Sequence, residues 1–175
     1  MHKRFGWRDI ALLLVALASI ALDQYTKHLV RENIPLYTSW APVSWLEPFL
    51  TFTHTQNTGI AFGLFPGVSV VFVGLILVII IAIVIYYKRY AASSWMLTMS
   101  FGLLLGGAIG NLIDRLTQNG NVTDFINVRI WAVFNLADSF IVIGALLLSI
   151  YGLFLDRAQG QDKELADGSQ TKAEA

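Results

Sequence analysis

Four long apolar segments, separated by polar stretches, dominate the pattern of hydrophobic and polar positions along the chain. They cover about residues 10–30, 68–87, 95–113 and 136–155. About 20 helical residues, each rising ~1.5 Å, cross the ~30 Å hydrocarbon core of a bilayer. The pattern therefore predicts an all-α polytopic membrane protein with four transmembrane helices.

The two longer connections, about residues 31–67 and 114–135, contain alternating stretches that predict strands. Leu50–Thr55 and Val122–Ile130 each alternate small or polar residues with larger ones, the pattern of a half-buried strand. We expect a small β-sheet on the outer face. Residues 1–155 are predicted to form one membrane-embedded domain. The polar residues 156–175 are predicted to be a disordered cytoplasmic tail.

The distribution of basic residues predicts the orientation of the four helices. Lysine and arginine cluster before the first apolar segment, between the second and third, and after the fourth. These residues are Lys3, Arg4, Arg8, Lys88, Arg89, Arg157 and Lys163. Cytoplasmic loops carry an excess of Lys and Arg. Both termini are therefore expected in the cytoplasm, and the two longer connections outside it.

Composition supports a membrane protein and narrows the chemistry. The chain is 55% hydrophobic and 14% charged, and its formal net charge is zero. No basic footprint points to nucleic acid. Without cysteine there is no thiolate nucleophile or thiolate metal site. The three histidines, His2, His28 and His54, have no metal-ligand spacing, so no metal or cofactor is expected.

Glycines recur along one face of the third apolar segment. Gly102, Gly106 and Gly110 are four residues apart, and Gly107 lies beside them. Small residues at this spacing allow another helix to approach closely. Helix packing is the favoured interpretation, and close approach of a substrate to the backbone is the alternative.

Two aspartates, Asp124 and Asp138, fall on the same side of the predicted membrane. A carboxylate at a bilayer boundary must be solvated, paired or used. Two carboxylates within reach of one water can share a proton and act as acid and base. The alternatives are a loop carboxylate for Asp124 and a capping box with Asn135 for Asp138.

Further polar residues lie near the outer ends of the predicted helices, and most of them have two possible interpretations. Asp23 and Lys27 are four residues apart on one helical face, as in an ion pair or a site-orienting group. Asn57 suits a turn or offers an amide at the outer surface. Asn111 is expensive to bury unpaired.

The end of the third segment, Asp114 and Arg115, is equally open. Arg115 either braces the following loop or places a catalytic carboxylate. For Asp114, an ordinary surface position is an equally good interpretation.

Five blocks, in this order, resemble the lipoprotein signal peptidase (signal peptidase II) family, the aspartic peptidases of the bacterial inner membrane. They are Leu22–Lys27, Gln56–Phe62, Gly106–Arg115, Val122–Ile126 and Phe134–Ser139. The resemblance implies four helices with a small extracytoplasmic β-cradle. It also implies removal of the signal peptide from diacylglyceryl-modified prolipoproteins, by cleavage before the lipidated cysteine.

The resemblance further implies roles for individual residues and partners. Asp124 and Asp138 match the catalytic dyad. The residues that match the rest of the site are Asp23, Lys27, Asn57, Gly59, Asn111, Arg115, Asn135 and Ala137. Membrane lipid and globomycin-type inhibitors are the implied binding partners, with the active site at the periplasmic face.

Two other classes of protein remain as alternatives on the residues alone. A small transporter would use Asp23, Lys27 and Asp138 as a proton or ion relay, although the charges cluster at one face and no internal repeat is visible. A scaffold or assembly subunit would leave both aspartates replaceable.

Overall fold

The computed structural model describes residues 6–58, 68–90 and 94–153. Within these ranges the fold is mostly helical, with one small sheet. The elements in chain order are α1 (Trp7–Asn33), β1 (Ser39–Trp40), β2 (Thr51–Asn57), α2 (Val68–Tyr90), α3 (Trp95–Thr117), β3 (Val122–Asn127) and α4 (Leu136–Leu153).

Three of the described helices, α1, α3 and α4, are long and apolar enough to cross a membrane. The helix α2 has 23 residues, and its crossing stays a prediction. Both α1 and α3 run past their apolar segments, to Asn33 and Thr117. In both helices the backbone hydrogen bonds continue into polar residues beyond the apolar segment.

The first turns of α1 and α3 are fixed by local caps. The Gly6 backbone nitrogen donates to Asp9 Oδ2 at 2.7 Å. Ser94 Oγ accepts from the Met96 nitrogen at 3.2 Å. These contacts satisfy backbone donors that have no partner within the helix.

The helix α3 lies between α1 and α4, and its glycines make both contacts close. A Cβ on Gly106 would lie 2.6 Å from Ser19 Cβ of α1, and one on Gly102 would lie 2.8 Å from Val15 Cγ1. On another face, a Cβ on Gly107 would collide with the Ala137 carbonyl oxygen of α4. The packing interpretation of these glycines is therefore confirmed.

The order of these contacts fixes the helix directions. Later residues of α3 contact later residues of α1, so the two helices are parallel. At their starts, the Trp7 and Trp95 ring centroids are 4.1 Å apart. The late α2 residue Tyr87 donates from its hydroxyl to Asp9 Oδ1 at 2.8 Å. The helix α2 therefore ends where α1 and α3 begin.

An apolar core joins the first three helices. Its buried members are Leu12, Ala16, Ile83, Leu97, Phe101 and Leu105. Most large apolar side chains on the outer helix faces are exposed. Exposure of this kind suits helices whose outer faces meet lipid.

The sheet joins the two connections that follow α1 and α3. Its strand order is β1–β2–β3, antiparallel throughout, so the predicted small sheet is confirmed. Thr55 pairs with Asp124 and Asn57 with Val122, after an irregularity between Phe52 and Thr55. Phe125 packs with Val30 and Ile34 at the end of α1, which ties the sheet to the helices.

Candidate active site

Asp124 lies on β3 with its side chain 3% exposed. Its Oδ2 accepts from Asn57 Nδ2 at 2.9 Å, and its Oδ1 accepts from Asn135 Nδ2 at 2.7 Å. Asn57 reaches it because the two residues are diagonal neighbours on β2 and β3. Each carboxylate oxygen is thereby held by a different amide.

Asp138 lies in the first turn of α4 and is half-buried. Its backbone nitrogen donates to Asn135 Oδ1 at 3.0 Å, and its Oδ2 accepts from the Asn135 nitrogen at 3.3 Å. These reciprocal bonds form the capping box that was one interpretation of the pair. The other oxygen, Oδ1, accepts from Asn111 Nδ2 at 2.8 Å.

Asn135 is completely buried and contacts both aspartates. Its side-chain nitrogen donates to Asp124 Oδ1, and also to Asn111 Oδ1 at 3.2 Å. Its side-chain oxygen and backbone nitrogen both bond Asp138. The two carboxylates are therefore held by one residue, although they come from a strand and a helix.

Asn111 extends this network from α3 to α1. Its Oδ1 accepts from Lys27 Nζ at 3.1 Å. Lys27 is completely buried and lies 2.9 Å from Asp23 Oδ2. The expected ion pair between Asp23 and Lys27 is present. A buried ion pair is stable only when further hydrogen bonds satisfy its remaining groups, and Asn111 supplies one.

Asp23 also fixes the start of α4. Its Oδ1 accepts from the Ala137 backbone nitrogen at 2.9 Å. Ala137 is completely buried against the glycine face of α3. A larger side chain would have no room there, so Asp23 and Ala137 act together to seat the turn that carries Asp138.

Sequence reasoning missed Asp114, which is not a surface residue but is completely buried. Its Oδ2 lies 3.3 Å from Lys27 Nζ and accepts from the Thr123 backbone nitrogen at 2.8 Å. Its Oδ1 lies 3.6 Å from Arg31 Nη1 and accepts from Gln24 Nε2 at 3.2 Å. Thr123 immediately precedes Asp124.

The spacing of Asn111 and Asp114 was a signal for this role. Residues three apart share a helical face, so both could meet the face of α1 that carries Asp23 and Lys27. That step requires knowing that α1 and α3 are parallel neighbours, which hydropathy does not reveal.

Arg115 braces the loop that follows α3. Its Nη1 donates to the Gly120 carbonyl oxygen at 2.9 Å. Its positive charge interacts favourably with Asp124, Asp138 and Asp114. The bracing interpretation is therefore present in the structure, and a role in placing a catalytic carboxylate stays a prediction. Gly59 lies outside the described residues.

The pKa of Asp124 is raised to about 6, and burial is the largest cause. The neighbouring charge of Asp138 contributes to the rise, whereas the hydrogen bonds from Asn57 and Asn135 and the charge of Lys27 oppose it. A carboxyl group with this pKa can hold or release a proton near neutral pH. Among the residues that the structure describes, no group of three or more His, Cys, Asp and Glu could hold a metal ion.

Comparison with known protein families gives a match over most of the chain. Residues 15–154 match the family described as signal peptidase (SPase) II. A lipoprotein signal peptidase of Halothermothrix orenii is 45% identical over 138 residues, which cover 79% of this chain and 92% of the relative. One of Moorella thermoacetica is 41% identical over 150 residues, covering 86% of this chain and 97% of the relative.

Solved structures give a consistent result. A bacterial membrane enzyme determined by the in meso method at 2.3 Å resolution has a TM-score of 0.75 and 31% sequence identity. The alignment covers 91% of this chain and 95% of that one. A second bacterial membrane enzyme, determined at 1.9 Å, has a TM-score of 0.76 and covers 87% of this chain and 97% of its own.

Proposed function

This chain belongs to the signal peptidase II family, and from that premise we propose that it removes the signal peptide from diacylglyceryl-modified prolipoproteins. Cleavage occurs immediately before the lipidated cysteine. The enzyme is an aspartic endopeptidase of the bacterial membrane, in which Asp124 and Asp138 activate a water molecule.

The observation that supports this proposal best is the position of Asn135 between the two carboxylates. It donates to Asp124 through its side chain and holds Asp138 through both its backbone and its side chain. Close carboxylates resist double ionisation, so the pair holds one proton between them.

One proton on two carboxyl groups suits hydrolysis of a peptide bond. The ionised carboxylate accepts a proton from the attacking water, while the protonated one donates to the carbonyl oxygen of the scissile bond. The raised pKa of Asp124 favours a shared proton near neutral pH. The charges of Arg115 and Lys27 oppose the accumulation of negative charge around the pair.

The architecture also suits a lipidated substrate. The two aspartates lie beside the ends of α1 and α3 and at the start of α4, where the helices meet the sheet. A signal peptide that lies in the membrane presents its scissile bond near this boundary. The diacylglyceryl chains lie against the helices, and apolar burial selects the lipidated substrate. Globomycin-type inhibitors occupy the same site.

We place the sheet and the site outside the cytoplasm, with α2 as the fourth span. The helices α1 and α3 end on the sheet side, and α2 ends near Asp9 at the opposite side. The 23 residues of α2 form a helix about 34 Å long, which is enough to return across a bilayer. The basic residues Lys88 and Arg89 then lie on the cytoplasmic side, as do both termini.

Replacement of each aspartate by asparagine tests this function. Asp124→Asn and Asp138→Asn should each abolish turnover of a purified diacylglyceryl-modified precursor, because an amide of nearly the same shape cannot exchange the proton. If Asp138 only closed the capping box at the start of α4, the amide oxygen of asparagine would serve nearly as well.

The matched control is Glu47→Gln, which neutralises an exposed carboxylate in the loop between β1 and β2. Its turnover should equal that of the parent. Binding of a globomycin-type inhibitor should persist in all three variants and report a folded site. Near-normal turnover by either aspartate variant would contradict the proposed mechanism.

A further inference from the structure

Two loops at one end of the sheet carry large apolar side chains that face outward. Ile130 is 91% exposed, Trp131 74%, Trp45 73% and Phe49 70%. We refer to these four residues as the aromatic patch. Single exposed apolar residues are ordinary, but several together mark a surface that contacts a partner or a membrane.

The two loops are ordered and joined to one another. Arg129 donates from Nε and Nη2 to the Glu47 carbonyl oxygen, at 3.2 and 2.9 Å. Its backbone nitrogen donates to Asn127 Oδ1 at 3.0 Å. Arg129 has a φ of 66°, a conformation that costs free energy for a residue with a Cβ. This strained residue connects the loop of Trp45 and Phe49 to that of Ile130 and Trp131.

Chain length limits the distance between the patch and the membrane. Trp131 is five residues before Leu136, the first residue of the membrane-span candidate α4. Five extended residues reach at most about 17 Å. The headgroup region adds about 5–8 Å on each side of the hydrocarbon core. Tryptophan is enriched there because its ring is apolar and its N–H is polar.

The charge around the patch fits the same location. Within residues 41–50 and 128–131 the only charged side chains are Glu47 and Arg129. Arg129 directs its guanidinium to a backbone carbonyl, which accepts from two of its N–H groups. A surface of this composition is favourable at the lipid–water boundary and unfavourable in bulk water.

We propose that the aromatic patch anchors the sheet in the headgroup region of the bilayer, with Arg129 holding its two loops in one plane. The anchor fixes the distance of β3 from the membrane, because Arg129 lies two residues after Asn127, the last residue of that strand. Asp124 lies three residues earlier on the same strand. The patch contains no residue of the candidate active site, so this inference stands or fails separately from the proposed function.

Depth measurement in reconstituted phospholipid bilayers tests the anchor directly. The chain has no cysteine, so Ile130→Cys can carry one nitroxide label. Its relaxation is compared between oxygen, which concentrates in lipid, and a water-soluble nickel chelate. Leu146→Cys, at a position 56% exposed on α4, is the lipid reference. Gln56→Cys, at an exposed polar position of β2, is the sheet reference.

We expect the ratio of oxygen to nickel accessibility at position 130 to lie between those of the two references. Nickel accessibility equal to that at position 56 would overturn the proposal. Shielding from both reagents, with spectra that broaden as the protein-to-lipid ratio rises, would show that a second copy covers the patch and would overturn it too.

A second pair of variants tests the role of Arg129. Arg129→Asn retains a residue type that accepts positive φ but cannot reach the Glu47 carbonyl. The label at position 130 should become more mobile and more accessible to nickel. Glu47→Gln is the control, because it leaves the accepting backbone oxygen in place. Unchanged mobility in Arg129→Asn would contradict the clamp.

Discussion

At the scale of single residues, Asn135 combines a structural and a chemical task. Its side-chain oxygen caps α4, while its side-chain nitrogen holds Asp124 and Asn111. Asparagine can do both because its amide offers one acceptor and two donors. Serine can cap a helix but has neither the reach nor the number of donors for the second task.

Asn135→Ser should therefore separate the two tasks. A hydrogen bond to a charged group contributes about 1.5–3 kcal/mol, which corresponds to about 10- to 160-fold in rate if the bond is lost from the transition state. We expect turnover of the lipidated precursor to fall by that factor at temperatures well below the apparent Tm of the variant, where the protein is still folded. The exposed Asn33→Ser is the control and should leave turnover unchanged. Turnover that falls only at temperatures near the apparent Tm of the variant would indicate a purely structural role.

The raised pKa of Asp124 predicts a pH-dependent stability. The folded chain binds this proton more tightly than the unfolded chain. The raised pKa therefore stabilises the folded chain fully below about pH 4, and this stabilisation is lost as the pH rises through about 6. A shift from 3.8 to about 6 corresponds to about 3 kcal/mol at most.

Asp124→Asn removes this titration. The apparent Tm of the variant, relative to the parent, should increase between pH 4 and pH 8 in detergent solution. The difference in apparent Tm between the exposed Glu47→Gln variant and the parent should not change over the same pH range. A difference for Asp124→Asn that falls with pH would contradict the raised pKa.

At the scale of elements, α3 is held by close backbone approach on two faces. A Cβ on Gly106 would lie 2.6 Å from Ser19 Cβ, whereas a Cβ on Gly74 of α2 would have nothing within 4 Å. Both glycines lie in the interior of a helix of 23 residues. They differ in whether a neighbouring helix packs against them.

Gly106→Ala should lower the apparent Tm in detergent because the two helices must separate to admit the methyl group. Gly74→Ala should be neutral or slightly stabilising, by about 0.5–1 kcal/mol, since alanine favours a helix over glycine. Thermal unfolding of both variants decides the comparison. Equal Tm values for Gly106→Ala and the parent would remove close packing as the explanation of this glycine.

The sequence predicted the three membrane-span candidates and the small sheet because their signals are local. Apolar runs and alternation depend on neighbours along the chain. The burial of Asp114 could not be predicted in this way, because it depends on α1 and α3 meeting in parallel. The clamp of Arg129 on Glu47 joins residues 82 positions apart and has no local signal either. The dyad was proposed from position and resemblance together, and it stays a prediction.

At the scale of the whole molecule, the proposed topology requires α2 to cross the bilayer. Gln56 on the sheet and Lys88 near the end of α2 then lie on opposite sides, and both are exposed. In intact cells, a membrane-impermeant maleimide should label Gln56→Cys directly. It should label Lys88→Cys only after the membrane is permeabilised. Direct labelling of both positions would contradict a fourth span.

The buried cluster of Asp23, Lys27 and Asp114 also constrains the order of assembly. The first two pair within α1 and can enter the membrane together as a neutral unit. Asp114 arrives later, on α3, and an isolated carboxylate in the bilayer costs several kcal/mol until it meets Lys27. Docking of α3 on α1 gives Asp114 its partner Lys27, and the same carboxylate oxygen accepts from the nitrogen of Thr123, the residue before Asp124. We expect the strand that carries Asp124 to be among the last parts of the chain to become fixed, so a nascent chain would acquire catalytic competence only after its helices had associated.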